Sequence, residues 1–156
     1  MRFLRESLVA ALFLSAYGVI QALAGARELE DLRPTTLQPS LPVTTLLGLI
    51  GFALSIAIYG LLARAVIAGG GSPGAAAGRG AIVGFVAGLV TDIAQAPIQR
   101  DFFRAVALTY GLPDTLASIV ATAALVIRPP ASAATGAVLA WLAALLLRPR
   151  RHEELV

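Results

Sequence analysis

Apolar runs of near-membrane length, parted by short polar or proline-rich stretches, organise the chain. The first extends from Ser7 to Ala26, behind Arg2, Arg5 and Glu6 and ahead of Arg27. A helix of that length, rising about 1.5 Å per residue, matches a hydrocarbon core of roughly 30 Å. The basic start and Ala24-Gly25-Ala26 also fit a cleaved leader. The run exceeds the usual leader core of about 7–15 residues, so a span is expected. The second span runs from Val43 to about Ala63, with Arg64 able to snorkel and the helix able to continue to Ala68. Between them, Arg27 to Pro42 is a polar loop whose Pro34, Pro39 and Pro42 cannot continue a helix.

Residues 69–80 form a glycine-rich linker. A phosphate-cradling loop would need a preceding strand and a Lys-Ser/Thr at its end, and both are missing. The third span is Ala81 to Gln99, with Pro97 expected to loosen its last turn. Arg100-Asp101-Phe102-Phe103-Arg104 then marks a headgroup level. Ala105 to Ile127 is apolar but interrupted by Gly111-Leu112-Pro113-Asp114. Two arrangements fit: one broken transmembrane helix with Asp114 capping its second half, or an interfacial helix over 101–112 followed by a re-entrant segment. Arg128-Pro129-Pro130 reads as a tight turn, Ala131 to Leu147 as the last span with the only tryptophan, Trp141, and 148–156 as a basic tail. The expected fold is all-α: a single integral membrane domain over 1–156, a polytopic transmembrane helical bundle with five spans, or four plus a re-entrant segment.

Composition agrees. Hydrophobic residues make up 58% of the chain and charged residues 13%, against about 25% charged in an ordinary soluble domain. Mean hydropathy is +0.83. Such a chain must be solvated by lipid, which excludes a disordered segment, a disulfide scaffold and a soluble enzyme. With no cysteine, thiol catalysis, thiolate metal sites and disulfides are excluded as well.

The pI of 10.2 would suit nucleic acid, but the distribution of charge does not. All twelve basic residues are arginines, set singly or in pairs at the ends of apolar runs, as in residues that anchor and orient spans. The expected contacts are the lipid bilayer and other membrane subunits, or a second copy of the chain, with no nucleic acid. Arginine without lysine, amid much alanine, leucine and glycine, suggests a bacterial inner membrane. Five crossings with the N-terminus outside, or four plus a re-entrant segment with it inside, each put seven arginines on the cytoplasmic side against five. Both place the C-terminal tail in the cytoplasm.

Asp92 is the sharpest candidate residue. A carboxylate at the helix centre costs about 2.5–3.5 kcal/mol on insertion scales and faces the bundle interior by preference. Its spacing from Gln99 puts it about 10 Å inside the end of its span, short of the midplane. It reads as a proton, cation or substrate site, with Gln95 beside it and an arginine from a neighbour as counter-charge, or as a strut that locks packing. Asp114 is a helix N-cap, or the start of a discontinuous helix whose free N–H groups meet a substrate. Gly80, Gly84 and Gly88 recur every four residues and form a packing face. Span one offers small partners in Ala11, Ser15, Gly18, Ala22 and Gly25, and span two in Thr44, Gly48, Gly51 and Ser55. A faint repeat relates Ala77–Val83 to Ala133–Leu139.

The lone histidine, His152, lies in the tail, so no catalytic triad, haem or zinc site is expected, and neither a cofactor nor enzymatic activity. The stretch Gly84–Asp92 resembles spans of rod-shape membrane proteins and of substrate-binding subunits of vitamin transporters. Nine residues of small-residue pattern carry no residue's role across. The leading functional expectation is a non-enzymatic integral membrane subunit within a larger membrane assembly. The alternative is a small proton- or cation-coupled transporter, or the substrate-binding membrane component of one, using Asp92.

Overall fold

The computed structural model describes residues 2–31 and 42–148, and places four α-helices there: α1 (Arg2–Asp31), α2 (Pro42–Ala68), α3 (Pro73–Thr109) and α4 (Asp114–Leu146). No strand occurs among the described residues. Each helix is long and apolar enough to cross a bilayer. The chain is a multi-pass membrane helical bundle with four such helices, not five. Residues 32–41 of the polar loop and 149–156 of the tail lie outside the described residues.

The fifth span disappears because two sequence signals act differently in place. Gly111-Leu112-Pro113 does not interrupt a span; it joins α3 to α4. Gly111 has φ +66°, and its N–H donates to the Leu108 carbonyl while the Leu112 N–H donates to that of Ala107. That is a Schellman ending, in which the left-handed residue favours glycine. α2 ends the same way at Gly70, φ +78°. Ser72 then caps α3 by accepting from the Ala75 N–H at 3.2 Å, with Pro73 in the first turn. The glycine-rich linker therefore shrinks to residues 69–72, and Gly74, Gly78 and Gly80 are helical.

Arg128-Pro129-Pro130 is likewise no turn. It lies inside α4, which runs unbroken through both prolines. In water two prolines favour a break. In a bilayer each unpaired carbonyl of a broken helix costs several kcal/mol, so continuing the helix and losing only the two proline hydrogen bonds is the smaller loss. Neither the broken helix over 105–127 nor the re-entrant segment forms. Ala131–Leu147 is not a separate span but mostly the second half of α4.

α3 and α4 make the closest antiparallel pair, seamed by small residues. A Cβ on Gly80 would run into the Gly136 carbonyl, one on Gly136 into the Gly80 carbonyl, and one on Gly84 into that of Ser132. The glycine row therefore packs on α4, not on the small stripes of spans one and two. Those stripes meet other partners: Gly18 of α1 lies against Thr91 of α3, and Gly51 of α2 against the Tyr17 ring of α1. The Tyr17 hydroxyl donates to the Leu47 carbonyl at 2.6 Å, tying α1 to α2. Among the described residues the α1 and α4 backbones do not approach one another closely. Ala10, Ala11, Leu62, Ala63, Val66, Ala76, Val83, Ala140 and Ala144 close a tight core in the half of the bundle that carries residue 2, the 69–72 turn and residue 148. Large apolar side chains such as Leu12, Leu49, Ile82, Ile93 and Val126 cover the outside, as lipid contact requires.

A polar cavity between the four helices as candidate functional site

Above that core the bundle does not pack solid. A cavity of about 680 Å³ lies among all four helices. Its floor is at Tyr59 and Gly84, and its walls reach Gly25 of α1, Thr44 of α2 and Gln99 of α3. It therefore extends from the middle of the bundle toward the end where α1 stops and α2 begins. Tyr17 and Gln21 face it from α1, Ser55 and Tyr59 from α2, Thr91 and Asp92 from α3, and Arg128, Ser132 and Thr135 from α4.

Helical spacing assembles its polar wall. Asp92, Gln95 and Gln99 lie three and four residues apart on α3, so they share one face; Arg128, Ser132 and Thr135 do so on α4. The antiparallel seam at Gly80/Gly136 and Gly84/Ser132 sets the register that brings the two faces together. Arg128 Nη1 donates to Gln95 Oε1 at 2.6 Å. The Gln99 amide oxygen, turned toward the guanidinium, accepts from both Nη1 and Nη2. Asp92 Oδ1 lies 3.6 Å from Arg128 Nη1, beyond the roughly 2.7–2.9 Å of a charge-assisted hydrogen bond. The other carboxylate oxygen, Oδ2, is buried without a partner. The Asp92 side chain is 5% exposed and that of Arg128 49%. The acid is thus walled in, while the guanidinium lies open along the cavity.

Of the sequence candidates, the structure brings Asp92 and Gln95 together and leaves Asp114 out. Asp114 is exposed in the first turn of α4, about 21 Å along the helix from Arg128. It does not cap, since the N-cap position belongs to Pro113 and has no side-chain bond. The discontinuous-helix reading falls, because α4 begins there after an ordinary turn. Asp92 also sits deeper than its distance from Gln99 implied: α3 continues to Thr109, which puts Asp92 near the middle of its helix. Arg128 was missed as a site residue because the following prolines marked it as a turn. Its spacing to Ser132 and Thr135 was the available signal. Among the described residues no group of three His, Cys, Asp or Glu side chains could hold a metal ion.

Such an arrangement offers a fork of N–H donors, a shielded carboxylate and several hydroxyl and amide groups to a solute in a low-dielectric surrounding. Compared with known proteins, the chain matches no family model, no curated protein and no solved structure.

Proposed function

We propose that the chain is a non-enzymatic, membrane-embedded solute-binding component of a transport system, with the four-helix cavity as its binding site. One observation carries the reading: Asp92, Gln95, Gln99 and Arg128, while joined to one another, all line one open cavity between the helices. A charge pair serving only as a strut gains most when water and solute are excluded from it. The cavity instead has the size of small-molecule sites, which run to about 300–1,000 Å³.

The charge pattern supports an orientation. With four crossings, Arg2, Arg5, Arg64, Arg79 and Arg148 fall at one end of the bundle, and the sequence after Arg148 adds Arg150 and Arg151. Among the described residues Arg27, Arg100 and Arg104 fall at the other end, and Arg128 is intramembrane. The positive-inside rule puts the richer side in the cytoplasm, in a bacterial inner membrane. The cavity then faces away from the cytoplasm, above a closed core. A binding component must hand its solute on, so the expectation of a larger membrane assembly accompanies this reading.

The test is thermal unfolding of the purified chain in mild detergent against organic anions, cations, zwitterions and neutral polar solutes. A ligand at about 100 times its Kd stabilises by about 2.7 kcal/mol. At least one class should raise the midpoint, and the cavity-filling Ser55→Trp variant should lose that response. A flat profile across all classes rejects the binding reading; copurification of a stable partner with a flat profile leaves the assembly reading alone.

A further inference from the structure

Resting on the binding reading above, we propose that the solute is an organic carboxylate taken up together with one proton. The solute's carboxylate replaces Asp92 at the Arg128 guanidinium, and Asp92 accepts the proton.

Four features lead there. The guanidinium is the exposed member of the pair and Asp92 the enclosed one, so a solute entering the cavity meets the cation first. Planar guanidinium donors match a carboxylate in bidentate geometry. A cationic solute entering the cavity would be repelled by the exposed guanidinium. The existing pair is loose: Oδ1 stands at 3.6 Å and Oδ2 has no partner, so exchange of one carboxylate for another gives up no hydrogen bond between Asp92 and Arg128.

Charge balance requires the proton. The empty site holds one carboxylate and one guanidinium, with no net charge. Adding a carboxylate alone would set two anions against one cation in a low-dielectric site, where like charges repel strongly. Adding it with a proton on Asp92 leaves one anion, one cation and a neutral acid, and the net charge is again zero. The proton comes from bulk water on the side to which the cavity extends.

The other ionisable groups facing Asp92 cannot take this part. α1 presents Tyr17, α2 presents Tyr59 and α4 presents Arg128: two phenols and a guanidinium, none of them an anion that a proton would neutralise. On α3 itself, Arg100, Asp101 and Arg104 lie about 12 Å or more farther along the axis. The chain has no lysine. Among the described residues Asp92 is the only carboxylate lining the cavity.

The experiment uses the full chain in detergent with matched probes: 4-hydroxybenzoate, 4-hydroxybenzamide and 4-hydroxybenzylamine, together with lactate and lactamide. The carboxylates should raise the unfolding midpoint, and the amides and the amine should not. Carboxylate affinity should weaken up to tenfold per pH unit where free Asp92 is ionised, since binding takes up one proton. Asp92→Asn should bind carboxylates with an affinity independent of pH. Asp92→Asn/Arg128→Gln removes both charges, so no lone ion strains the fold, and it should bind none. Carboxylate affinity that does not vary with pH overturns the proton coupling, as does a pH dependence retained in Asp92→Asn. Binding of the amine or amides but not the carboxylates overturns the solute class and leaves the cavity reading standing. If these probes and the wider solute panel are all flat, both readings fall.

Discussion

Arg128 of α4 reaches back to Asp92 of α3, 3.6 Å from Oδ1, and both residues lie near the middle of their helices. The two are 36 positions apart in sequence and meet only because the α3–α4 seam is narrow. Small residues at 80, 84, 132 and 136 let the backbones approach, and that approach carries a charge on each helix into reach of the other.

Arg128→Gln should therefore cost more stability than Asp92→Asn/Arg128→Gln. Removing one partner of a buried pair costs about 3–5 kcal/mol, and the half-exposed guanidinium lowers the expectation to about 1–3 kcal/mol. Thermal unfolding in detergent checks the order. Equal losses in the two variants would show that Asp92 and Arg128 are not coupled.

The glycine seam predicts an order of severity. At Gly80 and Gly84 an added Cβ runs into a backbone carbonyl oxygen, whereas at Gly88 the nearest atoms, Ser132 Cβ and Oγ, stand farther off at 2.8 Å, so the helices must part by less. Gly80→Ala and Gly84→Ala should each lose about 1–3 kcal/mol, and Gly88→Ala less. Ile82→Ala, on the lipid-facing side at 66% exposure, should change little. Four equal melting curves would remove the seam.

Pro130 tests the reading of α4. It is exposed and helical, so Pro130→Ala restores a hydrogen bond to the Val126 carbonyl and removes a residue that costs up to about 3 kcal/mol in a helix interior. The variant should be as stable as the parent or more so. A clear loss would mean that a turn forms there in the membrane.

Topology follows from the even number of crossings. Reporters fused at residue 1 and after Val156 should both read cytoplasmic, and one inserted between residues 111 and 113 should read the opposite side. Fusions at the two ends that report different sides would restore an odd number of spans.

Asp114→Asn should spare solute binding altogether. The side chain is far from the cavity and acts only on the α4 N-terminus, where a negative charge contributes about 0.3–1 kcal/mol. Any loss of ligand response in this variant would return Asp114 to the site.

The sequence by itself determined the solvent, the helical class and the first two spans. Those properties depend on local composition: long apolar runs, scarce charge, and backbone groups that only a helix can satisfy in lipid. Asp92 stood out for the same local reason, as a carboxylate inside an apolar run. The tertiary structure decided the rest. Pro129 and Pro130 carry a local preference for a turn, and the bilayer's penalty on open backbone overrides it, so one helix replaced a turn between two spans. Gly111 looked like a break within a span and proved to be the Schellman ending of α3. Tyr17, Gln21, Tyr59 and Arg128 became cavity residues through helix rotation and register. Those depend on which small residues face each other across the seams, a pairing between distant positions that no single stretch of sequence contains.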